Sequence, residues 1–213
     1  MRKGYSVITN FGCRFSCPYC IWKDHPLKDS RDGTDWNALN CFLHDAQDSQ
    51  VGKVSVSGGG DPFFKLENNQ IWWEKFLSLS TARELKVSVH TRERILLDND
   101  VLRFLLNHIS RLTLSTDVLE DVLDYAYLMS EYTKIRVVHV VQPFDTMKSL
   151  DKYVLAFFGT PIQLSFKQLH QSTDNTLFNS AKDEYRDDVF FIEDKDYNYY
   201  FMPDNKVYEH FVL

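Results

Sequence analysis

The residues best equipped for chemistry lie near the N-terminus, where three of the four cysteines stand together as Cys13-Arg14-Phe15-Ser16-Cys17-Pro18-Tyr19-Cys20, with Cys41 alone in the segment that follows. Three thiols cannot all be closed by disulfides. In a cytosolic chain such a cluster reads as metal ligands or redox groups, because thiolates bind soft metals and a reducing compartment discourages structural disulfides. Three chemistries are open. Zinc needs a fourth ligand from Cys41, His25 or His44, and the usual pair of short Cys-x-x-Cys knuckles is absent. A thiol redox pair would use Cys17 and Cys20 and leave Cys13 without a role. An iron-sulfur cluster would use all three, each thiolate holding one corner of a 4Fe-4S cube and leaving one iron open to a small molecule.

The elements that must carry this loop follow from hydrophobic periodicity. Tyr5 to Asn10 is a β-branched and aromatic stretch leading into the cysteines, and Asp35 to Gln50 places Trp36, Leu39, Phe42 and Leu43 at helical spacing. The pattern recurs: strand Val54 to Ser57 with a helix over Ile71 to Leu79, strand Leu85 to His90 with a helix over Asp100 to Asn107, and strand Leu112 to Asp117 with a helix through Leu128. Strand Ile135 to Val141 with a helix through Phe158, and a sixth strand from Ile162 to Leu169, complete it. Strands alternating with helices predict parallel βαβ units, and six of them suit an open barrel better than a closed eight-stranded one. Period-2 parity puts Val54, Val56, Val87, Val89, Leu112 and Leu114 on a helix-covered face, and Ser55, Ser57, Ser88, His90, Thr113, Ser115 and Asp117, with Ser165 and Lys167, on the other. That polar set predicts a wet cleft for a polar ligand. Gly58-Gly59-Gly60-Asp61-Pro62 ends the second strand with a backbone able to turn sharply or approach a ligand closely.

Cys-x-x-x-Cys-x-aromatic-Cys, with Tyr19 as the aromatic, resembles the signature of the radical S-adenosylmethionine (radical SAM) superfamily, and Gly59-Gly60-Asp61-Pro62 resembles its Gly-Gly-Glu-Pro motif with Asp61 in place of glutamate. The resemblance implies a partial (β/α)6 TIM-like barrel, a single 4Fe-4S cluster on Cys13, Cys17 and Cys20, and S-adenosylmethionine (SAM) chelated by the open iron. It also implies SAM contacts from Tyr19 and Gly58 to Asp61, with Ser115 and Asp117 facing the ribose and strand ends at Val141 and Gln168 flanking adenine. The reduced cluster of that family cleaves SAM to a 5′-deoxyadenosyl radical, which abstracts hydrogen from substrate; an electron donor such as flavodoxin or ferredoxin is implied. For this chain the expectation is a small polar or nucleoside-like substrate, including a modified base within DNA. The alternatives are an activase that installs a glycyl radical on a protein partner, and a zinc-stabilised binding module without catalysis.

Other residues have two readings. His90, Arg92 and Lys167 are candidate substrate contacts, with Arg94 able to join the two cations in an anion clamp, whereas surface arginines after a strand are usually solvated. His139, amid valines, reads as a hydrogen-bonded core histidine; Cys41 reads as a small hydrophobe within a helix; Asp117 suits equally an N-cap for a helix starting at Val118. Trp72 and Trp73 read as packing. Residues 1–170 form the expected core and 171–213 a small antiparallel β extension, polar and aperiodic to Asp188, then stranded around a turn at Pro203-Asp204-Asn205. The net charge is −6, concentrated in the last 33 residues, which carry nine acids and four bases; nucleic-acid attraction through phosphates is not indicated. No apolar run approaches the roughly 20 residues of a membrane helix. The Met1-Arg2-Lys3-Gly4 start is not followed by a secretory pattern, so the expectation is a cytoplasmic protein.

Overall fold

The computed structural model describes residues 4–9, 11–20, 22, 33–49, 51–170, 172–193 and 198–209. In chain order the elements are β1 (Gly4–Ile8), α1 (Trp36–Asp48), β2 (Lys53–Ser57), a 3-10 turn (Leu66–Asn69), α2 (Gln70–Thr81), β3 (Lys86–Thr91), α3 (Asp100–His108), β4 (Arg111–Thr116), α4 (Leu123–Ser130), β5 (Ile135–Val140), α5 (Met147–Phe157), β6 (Gln163–Lys167), α6 (Thr176–Tyr185), β7 (Phe190–Ile192), β8 (Asn198–Phe201) and β9 (Val207–Tyr208). Contacts divide the chain into two units, Met1–Arg111 with Tyr197–Leu213, and Leu112–Asp196.

In the first unit β2 pairs in parallel with β1 on one side and β3 on the other, with Val7, Val56 and Val89 in one register row. Alternation is the cause: Val54, Val56, Val87 and Val89 are buried, while Ser55, Ser57, Ser88 and His90 are half-buried. Helix α1 starts where the Asp35 carboxylate accepts from the amides of Asn37 and Ala38 at 2.9 and 3.0 Å. It then buries Leu39, Phe42, Leu43 and Ala46, each large side chain contributing about 1.5–3 kcal/mol. Trp72 and Trp73 of α2 are packing residues, as expected: Trp72 stacks on Phe76 with centroids 5.1 Å apart and meets Phe11 edge-on at 5.6 Å.

In the second unit β4, β5, β6 and β7 pair in parallel sequence. Leu112, Leu114, Val137, Leu164 and Phe166 form its buried apolar side. His139 shares that side and is a core histidine, 1% exposed, stacked on Tyr153 at 4.5 Å, with its Nε2 2.8 Å from Asp145 Oδ2.

Five expectations are corrected. The segment 171–188, read as aperiodic, contains α6, whose contact rests on only two buried residues, Phe178 and Ala181, too few to write a period. Because α6 is a crossover between β6 and β7, β7 joins in parallel rather than antiparallel. Strand β8 also pairs in parallel, along β1, so the antiparallel pairing of the tail is the β8–β9 hairpin alone among the described residues. Its turn is where expected, with Asn205 in the left-handed region, but β9 is described only over Val207–Tyr208 and residues 210–213 of the expected strand lie outside the described ones. Asp117 is not the N-cap of α4, which begins at Leu123 after Val122. Cys41 is on α1 but exposed, because the helix turns its neighbours Phe42 and Leu43 inward instead.

Candidate active site

Parallel pairing brings the carboxyl ends of β1, β2 and β3 to one edge of the first unit, so the cysteine loop, the glycine loop and the segment Thr91 to Arg94 emerge side by side. Gly58, Gly59 and Gly60 all take positive φ, of 63°, 58° and 90°. At Gly60 the need for glycine is also steric, since a Cβ there would lie 1.5 Å from the Phe11 carbonyl oxygen. The glycine loop is thus pressed onto the backbone that opens the cysteine loop. Two hydrogen bonds hold it, from the Asp61 amide to Gly12 O at 3.0 Å and from Thr9 Oγ1 to Gly58 O at 2.9 Å.

Asp61, 6% exposed, has both carboxylate oxygens engaged within the protein. Oδ1 accepts from the Phe63 amide at 2.9 Å and Thr91 Oγ1 at 2.5 Å, and Oδ2 accepts from the Arg92 amide at 2.6 Å. Burial pushes its pKa up, against these donors. Its side chain therefore locks the glycine loop to the end of β3. Arg92 continues the chain of contacts, donating from Nη1 to Cys17 Sγ at 2.8 Å and lying over the Phe15 ring at 5.1 Å. Glu93 is buried beneath Arg14, with Oε2 2.5 Å from its guanidinium; burial and the nearby Asp61 raise the Glu93 pKa. Sequence reading missed Thr91, Glu93 and Arg14. The signal was faint: Thr91 sits on the opposite parity from His90, on the face whose other members are buried apolar residues.

Cys13, Cys17 and Cys20 are free thiols on this loop, with a turn closed by Cys20 N donating to Cys17 O at 3.1 Å. The Phe15 amide donates to Cys13 Sγ at 3.4 Å. Burial, with Asp61 and the neighbouring thiols, pushes the Cys13 thiol up to about 11, a direction that a coordinated cation reverses by displacing the proton. Among the described residues no three His, Cys, Asp or Glu side chains converge at ligand spacing. What fits a cluster is the donor set itself: three free thiols on one loop, two of whose sulfurs already accept hydrogen bonds of the kind that stabilise thiolates. Of the further zinc ligands considered, Cys41 and His44 are exposed on α1 and His25 lies outside the described residues.

The remaining expected contacts lie in the second unit, with the exception of His90, half-buried on β3, and Tyr19, half-buried in the cysteine loop. Ser115 and Asp117 at the end of β4, Val141 after β5, and Lys167 and Gln168 at the end of β6 share one edge of that sheet. Backbone bonds of 2.9 Å from Val141 N to Lys167 O and from Gln168 N to Ile192 O continue the ladder past the strands. The polar face is drier than expected. Thr113 and Ser165 are 1% and 0% exposed, their hydroxyls have no hydrogen-bond partner, and Val138 separates Ser115 from Ser165 in the register row. Lys167 is exposed, and Arg94 donates to the Arg92 carbonyl at 2.5 Å. The two arginines are thus turned to the cysteine loop and to backbone.

These features define an α/β protein of the partial-barrel class. No family model matches the chain, and a search of curated proteins finds no match. Solved structures do share the fold. Streptococcus suis SuiB bound to S-adenosylmethionine matches over 98% of this chain and 60% of that one, at 15% identity and a TM-score of 0.67. SuiB bound to the precursor peptide SuiA matches over 91% and 49%, at 15% identity and a TM-score of 0.63. Proteus mirabilis N-acetylneuraminate lyase matches over 91% and 64%, at 11% identity and a TM-score of 0.51. The chain spans about half to three-fifths of the length of SuiB. The fold is thus shared with a protein that binds S-adenosylmethionine in one of these structures. No helix among the described residues is long and apolar enough to cross a membrane.

Proposed function

We propose that the chain is the core of a radical SAM enzyme, with Cys13, Cys17 and Cys20 as ligands of a 4Fe-4S cluster. One observation carries the reading: three free thiols lie on the loop that follows β1, and the backbone opening that loop packs against the glycine loop that follows β2, in a fold shared with SAM-bound SuiB. Cys13, Cys17 and Cys20 would hold the cluster, which would supply the electron for reductive cleavage of SAM and so the radical chemistry at an unactivated carbon of the substrate.

The protein's own residues supply placement. Gly58, Gly59 and Gly60 present bare backbone to the methionine end of SAM, while Asp61, saturated by internal donors, keeps that backbone in register with the cysteine loop. Ser115, Asp117, Val141 and Gln168 are the proposed ribose and adenine contacts, with Tyr19 beside the cluster. His90 and Lys167 are proposed substrate contacts; Arg92 is not, since its guanidinium is on Cys17. The proposed substrate is small and polar or nucleoside-like, and a flavodoxin or ferredoxin supplies electrons. A peptide substrate is the second reading, favoured by the SuiB complex with SuiA.

The test is anaerobic purification and reconstitution, assay of iron and sulfide, and EPR of the reduced protein with and without SAM. About four iron and four sulfide per chain with a SAM-shifted signal is expected. One zinc and no sulfide overturns the reading in favour of the binding module.

A further inference from the structure

Arg92 makes a contact that positioning the fold does not require. Its Nη1 lies 2.8 Å from Cys17 Sγ, within hydrogen-bond reach for a sulfur acceptor, and its guanidinium is backed by the Phe15 ring at 5.1 Å. The backbone that launches this side chain is held from both ends. Asp61 Oδ2 accepts from the Arg92 amide at 2.6 Å, and Arg94 Nη1 donates to the Arg92 carbonyl at 2.5 Å. A long, rotamer-rich side chain is thereby aimed from the end of β3 at one particular sulfur, across 75 positions of sequence. Cys13 and Cys17 are treated differently: Cys13 receives a backbone amide at 3.4 Å, whereas Cys17 receives a charged donor at 2.8 Å.

We propose that Arg92 is a positioning residue that tunes the redox potential of the cluster through Cys17, an inference that rests on the reading of Cys13, Cys17 and Cys20 as cluster ligands. A cationic donor on a ligand sulfur withdraws electron density from the iron and favours the more negative, reduced cluster, so it raises the midpoint potential. The Asp61 latch ties this to the SAM loop. Any movement of Gly58 to Asp61 is transmitted to the Arg92 amide through a carboxylate with no slack, and so to the hydrogen bond on Cys17.

The experiment is an EPR-monitored redox titration of the full chain, reconstituted anaerobically, comparing wild type with Arg92→Met, Arg92→Lys and Lys53→Met; iron and sulfide are assayed on each. Arg92→Met keeps an unbranched stem and removes the charge and the donor. Its midpoint is expected to move to more negative potential with iron content unchanged. Arg92→Lys, which keeps a charge but loses the fork, is expected to move it less in the same direction. Lys53→Met removes an exposed cation at the far end of β2 and should move nothing. An unchanged midpoint in whichever Arg92 variant retains the cluster overturns the proposal. Loss of iron from both Arg92 variants also overturns it, because Arg92 is then a tether of the loop and no more. A wild-type chain that takes up no iron and sulfide sinks the cluster reading itself and the inference with it.

Discussion

Replacing Gly60 with alanine tests the junction on which the candidate site is built. The position has φ of +90°, and an added Cβ would meet Phe11 O at 1.5 Å, Phe11 C at 2.5 Å and Gly12 O at 2.7 Å, all backbone atoms that no rotamer change can move. To reach even 3.0 Å the two loops must part by roughly 1.5 Å, which breaks the Asp61 N to Gly12 O bond. The left-handed conformation costs about 1–2 kcal/mol for a residue with a Cβ, and a buried amide left without its acceptor costs about 1–3 kcal/mol more, so the whole is about 2–5 kcal/mol. Gly52→Ala is the control. It has φ of +66° with nothing within 4 Å of the added Cβ, so it carries the conformational cost alone, and the unfolded-chain entropy gained by alanine is common to both. Urea unfolding separates them: at an m-value of about 2 kcal/mol/M the Gly60→Ala midpoint should fall by about 1–2.5 M and the Gly52→Ala midpoint by under about 1 M. Equal midpoints would refute the close approach of the two loops.

Three further outcomes are expected. Serine at Cys13, Cys17 or Cys20 should abolish reconstituted iron, while Cys41→Ser, altering an exposed residue of α1, should leave iron and sulfide at wild-type levels. Burial pushes the Asp145 carboxyl up, but hydrogen bonds from His139 and the Gln142 amide outweigh it and its pKa is lowered. Its contribution to stability is therefore present above the unfolded value of 3.8 and lost as pH falls through the lower folded value; the Tm gap between wild type and Asp145→Asn should be constant near neutrality and close in strong acid. Glu93 has the opposite sign, raised by burial and by Asp61. Its contribution is present below 4.5 and lost as pH rises through the folded value, so the stability of wild type relative to Glu93→Gln should decline over that rise; a gap that widens with pH would show Arg14 to dominate.

The alternation of six strands with helices, the valine parity of β2 and β3, the cysteine triplet and the glycine loop were legible because each is written locally. Side-chain period, turn chemistry and ligand spacing act over a few residues. Helix α6 was not legible, since Phe178 and Ala181 are its whole buried face and two residues make no period. Nor was the drying of the polar strand face at Thr113 and Ser165, because burial depends on what covers a strand, and a hydroxyl looks the same wet or dry.

By itself, the sequence determined which chemistry could be present: three thiols on one loop, a backbone free of Cβ atoms at the next strand end, and strands able to pair in parallel. Tertiary structure decided how those parts are joined. Asp61 meets Thr91 across 30 positions, and Arg92 meets Cys17 across 75. Such pairings depend on strand register and on which strand ends share an edge; a one-residue slip of β3 would turn Thr91 to the other face of the sheet and carry the Arg92 amide away from Asp61.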